Sequence, residues 1–445
     1  MIKVITYGTY DQLHYGHIRL LERAKELGDY LIVGVTADDY DKIRGKINVT
    51  QSLEERIAAV RATGLADEII VEEYDGQKID DIINKEVDIF TVGSDWVGVF
   101  DYLSEYCKVV YLERTQGVSS TEIRSKNRSI NLGCVGTHFT LEKFIEESEY
   151  ANGINVTHAC VYGNENIAVE QSKYTEENYV KMLNSVDAVY IASRPIYHYD
   201  QIKTALNLGK HVFCEAPVTI NVEQSKELFA LAKEKNLILM VSLKTAYMEA
   251  YKRLILLVKS GLIGDVVSID ATCTSIKKAE DIPQNDIRYE WNSIFAWGPT
   301  ALLPVFSLLG TDYVDKNIYS KFLDKENKYD MFTKINLTYK NAVASIKVGK
   351  GIKSEGELII SGTKGYIYVP APWWKTDYFE MRFENPSDNK RYFYQMNGSG
   401  YRYEIVSFLK AVNESRNNNH YLTEEISNAI CKICEEYYLG NVTEI

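Results

Sequence analysis

The first 127 residues alternate between short apolar runs and amphipathic stretches. The amphipathic stretches place apolar residues at i, i+3 and i+4, which indicates helices between β-rich runs. The predicted strands cover 2–8, 30–37, 68–73, 88–94 and 108–113, and the predicted helices cover 17–28, 52–63 and 78–86. Strands separated by helices predict a doubly wound parallel sheet. Polar residues replace this pattern near residue 127, so we place the first domain at 1–128.

A second alternation of strands and helices begins at residue 130 and continues to residue 243. It predicts a Rossmann-like domain at 129–248. Beyond about residue 250 the β-rich runs become longer and alternate apolar with polar positions, as in 266–276 and 333–349. Such runs favour antiparallel strands. For 249–445 we therefore predict an α+β domain with a large, mainly antiparallel sheet, and the fold class of the whole chain is α/β.

Composition excludes several classes of protein. The chain has 445 residues, of which 45% are hydrophobic and 25% charged, as in ordinary globular proteins. A net charge of −12 argues against a protein that coats nucleic acid or an anionic membrane. The first residues do not resemble a signal peptide, and no run of about 18 apolar residues suggests a membrane span. Seven scattered cysteines fit reduced thiols better than a disulfide framework, so we expect a cytoplasmic protein.

Two histidines and a glycine lie where the first predicted helix begins. The segment reads Gly8-Thr9-Tyr10-Asp11-Gln12-Leu13-His14-Tyr15-Gly16-His17. Backbone N–H groups and the helix dipole favour an anion there, and two imidazoles three residues apart can both face it. The alternative is that one histidine merely caps the helix. We interpret the segment as a phosphate site.

This H-x-G-H pattern and two later motifs resemble one family of nucleotidyltransferases. The motifs ITYGTYDQLHYGHIRLLERAKELGDYL, VGSDWVGVFDYL and VVYLERTQGVSSTEIR follow in the order of the glycerol-3-phosphate cytidylyltransferase family, so the resemblance covers 1–126. It implies that His14 and His17 bind the α- and β-phosphates of CTP and stabilise the transition state. It also implies Mg²⁺ bound with CTP, although no acidic cluster identifies its ligands, and we predict no separate metal site.

The same resemblance implies roles for further residues. Lys46 ends the basic stretch 42–46, where the family has a lysine-rich loop, and we favour a phosphate contact over a solvated charge. With Arg114 it joins the two histidines in the predicted catalytic set, and Asp11, Lys46 and Lys78 are the predicted acceptor-binding residues. Asp11 is expected to orient a hydroxyl or a histidine. The predicted nucleotide-binding residues are Gly8, Thr9, Tyr10, Asp11, Gly16, Asp95, Trp96, Arg114, Thr115, Gly117, Ser119, Ser120 and Thr121.

Residues from about 129 to 440 resemble the glucose–fructose oxidoreductase and inositol dehydrogenase family. The motifs are AVYIASRPIYHYDQIKTALNLGKHVFCEAP, KSGLIGDVVSI, ISGTKGYIYV and YEIVSFLKAV. The resemblance implies an N-terminal Rossmann domain of the kind that binds NAD(P), followed by a C-terminal α/β domain. Residues that carry the family's activity are nevertheless altered.

Three departures affect the predicted dinucleotide site. Gly136 matches the first glycine of the dinucleotide fingerprint, but His138 replaces the second. We expect its side chain to stand where the pyrophosphate should pass. The family's Glu-Lys-Pro is Glu215-Ala216-Pro217, which has lost the lysine, and its later His and Asp are replaced by Thr300 and Leu303. We therefore predict a degenerate site that does not bind NAD(P) tightly, while Tyr289, Tyr197 or His198 remain possible substitute proton donors.

The leading hypothesis is a cytidylyltransferase that converts CTP and a polyol phosphate, glycerol phosphate first, into a CDP-polyol for a cell-surface polymer. One alternative makes the second half an active NAD(P)H-dependent reductase of a keto-polyol phosphate. Another makes it a ligand-binding or dimerisation module. We expect a homodimer or higher homo-oligomer, with no nucleic-acid partner and no membrane insertion.

Overall fold

The computed structural model describes residues 1–13, 15–37, 49, 51–74, 76–96, 98, 100–112, 130–151, 153–162, 169–277, 291–394, 396, 398–413 and 422–445. The chain divides into two compact units, Met1–Arg128 and Ser129–Ile445. In the described parts of the chain, no helix is long and apolar enough to cross a membrane.

The first unit is built on five parallel strands in the order β3-β2-β1-β4-β5. The strands are β1 (Lys3–Gly8), β2 (Tyr30–Thr36), β3 (Glu68–Glu72), β4 (Ile89–Gly93) and β5 (Lys108–Leu112), and the helices are α1 (Tyr15–Lys25), α2 (Leu53–Ala62) and α3 (Gln77–Asn84). Short 3₁₀ turns follow β4 at Ser94–Trp96 and Asp101–Glu105. The predicted doubly wound parallel sheet is confirmed.

Both faces of this sheet are covered. Successive strand residues point to opposite faces, and accordingly Val4 belongs to a core cluster with residues of α1 and α2, whereas Ile5 belongs to another with Ile82 of α3. Helix α2 begins with a capping box, in which Ser52 accepts a hydrogen bond from the backbone of Glu55 and the Glu55 side chain accepts one from the backbone of Ser52.

The first part of the second unit is a Rossmann-like sheet. Its six parallel strands follow the order β11-β10-β9-β6-β7-β8. The strands are β6 (Ile130–Thr137), β7 (Ile154–Tyr162), β8 (Glu170–Lys173), β9 (Ala188–Ala192), β10 (His211–Glu215) and β11 (Leu239–Ser242), and the helices are α4 (His138–Ser148), α5 (Glu176–Asn184), α6 (His198–Asn207), α7 (Val222–Glu234) and α8 (Glu249–Lys259). This part also matches the predicted fold class.

The second part of this unit is a nine-stranded sheet in the order β19-β18-β17-β16-β12-β15-β14-β13-β20. Only β12 with β15 and β13 with β20 pair in parallel, so the prediction of a mainly antiparallel sheet is confirmed. The strands are β12 (Val266–Thr274), β13 (Asp315–Asp324), β14 (Tyr329–Thr338), β15 (Val343–Gly349), β16 (Leu358–Gly362), β17 (Gly365–Val369), β18 (Tyr378–Phe383), β19 (Lys390–Phe393) and β20 (Thr443–Glu444), and the helices are α9 (Ser293–Leu309), α10 (Tyr401–Asn413) and α11 (Glu424–Tyr438).

Helix α9 is an element that the sequence pattern did not predict. It contains Pro299 and Pro304, which normally mark a helix end. Apolar side chains on nearly every face of α9 are buried. In the first turn of the helix, the backbone N–H of Ser293 donates a hydrogen bond to Asp330. Tertiary burial therefore outweighs the local cost of the prolines.

Candidate functional site

The loop that follows β1 turns sharply. Thr9, Tyr10 and Asp11 are buried, and Tyr10 and Gln12 adopt positive φ angles of 53° and 48°, which are uncommon for residues with side chains. Gly8 contributes because a Cβ atom there would lie 3.0 Å from atoms of the Tyr10 ring. The local geometry thus depends on a glycine at the carboxyl end of the central strand.

Arg56 of α2 anchors this loop from inside the first unit. Its side chain is fully buried, and Nη1 donates to the carbonyl oxygens of Thr9 at 2.7 Å and Thr36 at 2.8 Å. Nε donates to the carbonyl of Gln51 at 3.2 Å. One guanidinium therefore ties the segments after β1 and β2 to the start of α2. In the sequence, Arg56 stands four positions before the apolar Val60 and therefore lies on the same face of the helix. This spacing is the signal that could have identified Arg56 as a buried charge.

Asp11 and Gln12 are held by a second set of bonds. The backbone N–H of Gln51 donates to Asp11 Oδ1 at 3.0 Å, and Gln51 Oε1 accepts from the backbone N–H of Gln12 at 2.6 Å. Asp11 thus braces the loop backbone, whereas we expected it to orient a hydroxyl or a histidine. That expectation stays a prediction.

His17 and Gly16 lie in the first turn of α1. The His17 ring meets the Tyr10 ring edge to face, with centroids 5.5 Å apart and planes at 68°. Burial raises the pKa of Tyr10, so its phenol stays neutral and the contact is with an uncharged ring. The first turn of α1 contains no acidic residue, so no side-chain charge within that turn opposes an anion at the positive end of the helix.

Lys78 lies at the same carboxyl edge of the sheet, near the start of α3. It is buried and paired with Glu72, the fully buried last residue of β3. Thr36, the last residue of β2, donates its hydroxyl to Glu72 Oε2 at 2.9 Å. The ends of two neighbouring strands thereby place one ammonium group where open α/β sheets bind ligands.

Two aromatic rings lie close to the Lys78 ammonium. Nζ lies 4.8 Å from the centroid of the Tyr7 ring and 5.6 Å from that of Phe100. The Trp96 ring lies 5.7 Å from Phe100. Asp95, predicted together with Trp96, lies in the 3₁₀ turn after β4, and its side chain is outside the described residues.

Several predicted site residues also lie outside the described residues, and their roles stay predictions. They are His14, Lys46, Arg114, Thr115, Gly117, Ser119, Ser120 and Thr121 in the first unit and the side chain of His138 in the second. Of the predicted residues, the structure brings together around the β1–α1 loop Gly8, Thr9, Tyr10, Asp11, Gly16 and His17. It also places Lys78 of α3 next to Tyr7 of β1.

In the second unit, Gly136 is packed closely against the neighbouring strand. A Cβ atom at Gly136 would lie 2.8 Å from the carbonyl oxygen of Ala192 on β9. This glycine is therefore required by strand packing, independently of any bound dinucleotide.

Lys244 lies beside the Glu215-Ala216-Pro217 turn, and sequence reasoning did not identify it. Glu215 ends β10 and pairs in register with Ser242, which ends β11, so Lys244 follows two residues later at the same sheet edge. Its ammonium lies 4.0 Å from the centroid of the Tyr401 ring. Burial alone would lower the pKa of Lys244, but the neighbouring Tyr401 and Glu215 raise it, so it stays charged.

Two carboxyl groups, the half-buried Glu215 and the fully buried Glu404, act electrostatically on this lysine. Glu215 accepts a hydrogen bond from the Tyr190 hydroxyl, and Glu404 Oε1 accepts one from Ser242 Oγ at 2.9 Å. Burial raises the pKa of both Glu215 and Glu404, and the nearby Glu215 carboxylate raises that of Glu404 further. The cluster joins α10 to the Rossmann-like sheet through charged groups that lie far apart in the sequence.

Two stacked tyrosines lie at or just after the ends of the strands on either side of β6. Tyr162 ends β7, Tyr197 lies in the 3₁₀ turn after β9, and β6 lies between these strands. The rings are 5.6 Å apart and nearly parallel at 12°, and Gln201 Nε2 donates to the Tyr162 hydroxyl at 3.0 Å. Dinucleotides cross a Rossmann sheet at this position. Tyr162 and Tyr197 are thus stacked aromatic side chains next to the crevice where a Rossmann sheet binds a dinucleotide.

His198 is completely buried. Its Nδ1 lies 2.9 Å from the carbonyl oxygen of Pro217 and its Nε2 lies 2.8 Å from that of Ser193. Burial lowers the pKa of His198, so a neutral ring donates to one carbonyl at a time. The ring connects two loops and is not placed to donate a proton to a substrate. Of the other suggested donors, Tyr197 lies in the stack and Tyr289 is outside the described residues.

No cluster of three or more His, Cys, Asp or Glu side chains suited to a metal ion occurs among the residues that the structure describes. Cys431 and Cys434 of α11 are buried free thiols, as the helical pattern of that segment indicates.

Comparison with protein families gives one match in each unit. Residues 5–126 match the cytidylyltransferase-like family, and residues 130–243 match the oxidoreductase family with an NAD-binding Rossmann fold. A glycerol-3-phosphate cytidylyltransferase from Bacillus spizizenii is 48% identical over 130 residues, which cover 29% of this chain and 100% of that protein.

The second half has more distant relatives. A dTDP-3,4-didehydro-2,6-dideoxy-alpha-D-glucose 3-reductase from Actinomadura kijaniata is 35% identical over 116 residues, or 26% of this chain and 34% of that enzyme. The crystal structure of a 3-ketoreductase from the same organism, in complex with NADP and TDP-benzene, superposes with a TM-score of 0.61 at 19% identity, covering 72% of this chain and 99% of that one. This likeness shows the fold of the second unit.

Proposed function

Because this chain belongs through its first unit to the cytidylyltransferase-like family, we propose that it transfers CMP from CTP to a polyol phosphate and releases pyrophosphate. Glycerol phosphate is the first acceptor to consider, and the product is then CDP-glycerol. The observation that carries the proposal is 48% identity along the entire length of a glycerol-3-phosphate cytidylyltransferase. We place the product in the synthesis of a cell-surface polymer.

The reaction is an in-line displacement at phosphorus. A phosphate oxygen of the acceptor attacks the α-phosphorus of CTP, the bond from that phosphorus to the bridging oxygen breaks, and pyrophosphate leaves. Such reactions depend on positioning and charge neutralisation more than on a covalent nucleophile. In our proposal His17 at the start of α1 and His14, three residues earlier in the sequence, bind the α- and β-phosphates, and Arg114 and the segment 115–121 bind the rest of the triphosphate.

The acceptor is proposed to bind on the side of Lys78. Its ammonium lies at the carboxyl edge of the sheet between Tyr7 and Phe100, and an ammonium group there suits a phosphate monoester. Lys46 is the second proposed cationic ligand. Mg²⁺ is proposed to arrive with CTP and to supply charge neutralisation on the triphosphate, held mainly by the substrate's own oxygens.

For the second unit we propose a degenerate oxidoreductase fold that serves as a ligand-binding or dimerisation module. The replacement of the second fingerprint glycine by His138 and the loss of the lysine at Ala216 support this choice over an active reductase. The reductase alternative retains one favourable observation, the charged Lys244 next to the altered motif.

A panel of acceptors tests the proposal. The full chain is incubated with CTP, Mg²⁺ and one phosphate ester at a time, including glycerol, ribitol and erythritol phosphates, and pyrophosphate release is measured. We expect turnover with at least one polyol phosphate and none without an acceptor. The absence of turnover with every acceptor from folded protein would contradict the proposal.

A further inference from the structure

Glu72 is the buried acidic partner of Lys78 in the first unit. The Glu72 side chain has no exposed surface, and its carboxylate pairs with the Lys78 ammonium. A buried charge is costly unless it is paired and hydrogen-bonded. Glu72 therefore determines where the ammonium can reside at this sheet edge.

The Glu72 carboxylate is itself oriented by Thr36. The Thr36 hydroxyl donates to Oε2 at 2.9 Å, whereas Lys78 bonds to Oε1. The two oxygens thus have different partners, one on β2 and one on α3. This arrangement fixes the rotation of the carboxylate and with it the direction from which the ammonium is held.

The Tyr7 ring also lies next to the ammonium, and its position depends on Gly34. Tyr7 pairs in register with Gly34 on β2, where a Cβ atom would lie 2.2 Å from the Tyr7 ring. The ring therefore lies across the neighbouring strand, and its hydroxyl donates to Asp81 Oδ2 at 2.8 Å. Burial and the Asp81 carboxylate raise the pKa of Tyr7, so the phenol remains a donor.

We propose that Glu72, oriented by Thr36, is a positioning residue that holds the Lys78 ammonium against the phosphate of the acceptor. This inference rests on the proposed cytidylyl transfer. An ammonium has three N–H donors, so the group can bond to Glu72 through one of them and to a phosphate oxygen through another. Glu72 does not contact the acceptor phosphate. Its effect is on acceptor binding, and CTP binding at the start of α1 is independent of it.

The test is steady-state kinetics of the full chain carrying Glu72→Gln, with CTP and the best polyol phosphate varied separately. We expect the KM for the acceptor to rise at least about 10-fold, while the KM for CTP and kcat change less than about threefold. Thr36→Val should raise the acceptor KM about threefold, because Glu72 keeps its charge but loses one constraint. Glu68→Gln is the matched control. Glu68 lies on β3, as Glu72 does, and its carboxylate pairs with the Lys85 ammonium at 2.6 Å, where both side chains are partly exposed. It should leave all three constants unchanged.

A merely structural role for Glu72 predicts a lower melting temperature and kcat with no selective change in the acceptor KM. That result, or an unchanged acceptor KM in a folded Glu72→Gln protein, would overturn the positioning role. If Glu72→Gln does not fold, Thr36→Val decides, and an acceptor KM equal to that of the wild type contradicts the inference. A wild-type chain that turns over no polyol phosphate would instead refute the proposed function itself.

Discussion

Replacing Arg56 with Met is the sharpest test of how the candidate site is held together. The guanidinium is fully buried and donates to the carbonyl oxygens of Thr9, Thr36 and Gln51 at 2.7, 2.8 and 3.2 Å. Hydrogen bonds to a charged group each contribute about 1.5–3 kcal/mol. The three share one group, and Met fills much of its volume, so we expect a total loss of about 3 kcal/mol rather than the full sum.

Hydrogen exchange in the full chain measures this loss locally. A loss of about 3 kcal/mol corresponds to roughly 100-fold faster exchange, and we expect it in peptides that cover 3–13 and 30–37, with a higher KM for CTP. Arg61→Met is the matched control, because Arg61 lies on the same helix and is exposed. Exchange within about threefold of the wild type in Arg56→Met would refute the conclusion that Arg56 anchors the loop.

Three further predictions address the two units. His14→Ala and His17→Ala should each lower kcat at least 10-fold without altering the circular dichroism spectrum, since a transition-state contact contributes about 2–4 kcal/mol, and a smaller loss would contradict their role. Neither NADH nor NADPH should quench tryptophan fluorescence with a micromolar Kd, a limit of about −8 kcal/mol, and such binding would contradict the prediction of a degenerate dinucleotide site. Burial raises the pKa of Asp330 from 3.8 to about 6, so its stabilising effect is complete below about pH 4 and is lost as the pH rises through 6. The free energy of unfolding, measured with urea, should therefore fall about 2.5 kcal/mol more between pH 4 and pH 7.5 in the wild type than in Asp330→Asn, and equal decreases would refute the assignment.

Elements whose signals are local could be predicted from the sequence. The apolar runs of β1 to β5 and the amphipathic helices between them indicate the parallel sheet directly, and Ser52 followed by Glu55 marks the start of α2. The β1–α1 loop could be located because its glycines and histidines lie within ten residues of one another. In each of these cases the signal that identifies the element lies within a short stretch of the chain, even though the strands themselves pair over longer distances.

Features that depend on distant contacts could not be predicted in this way. Helix α9 contains two prolines, and only its burial in the second unit explains why it persists. The role of Lys244 requires knowing that Tyr401 and Glu404, more than 150 residues later, pack against the same sheet edge. The stack of Tyr162 on Tyr197 likewise follows from strand order, which periodicity alone does not reveal.

Phosphorus-31 NMR of the full chain with CTP, Mg²⁺ and glycerol phosphate tests the central claim most directly. It distinguishes the substrates, pyrophosphate and the diphosphate of a CDP-polyol in one spectrum. We predict that pyrophosphate and the diphosphate product appear in equal amounts and that His17→Ala forms neither at a comparable rate. Pyrophosphate without a matching diphosphate, or unchanged CTP with each polyol phosphate tested, would contradict the assignment of cytidylyl transfer to this chain.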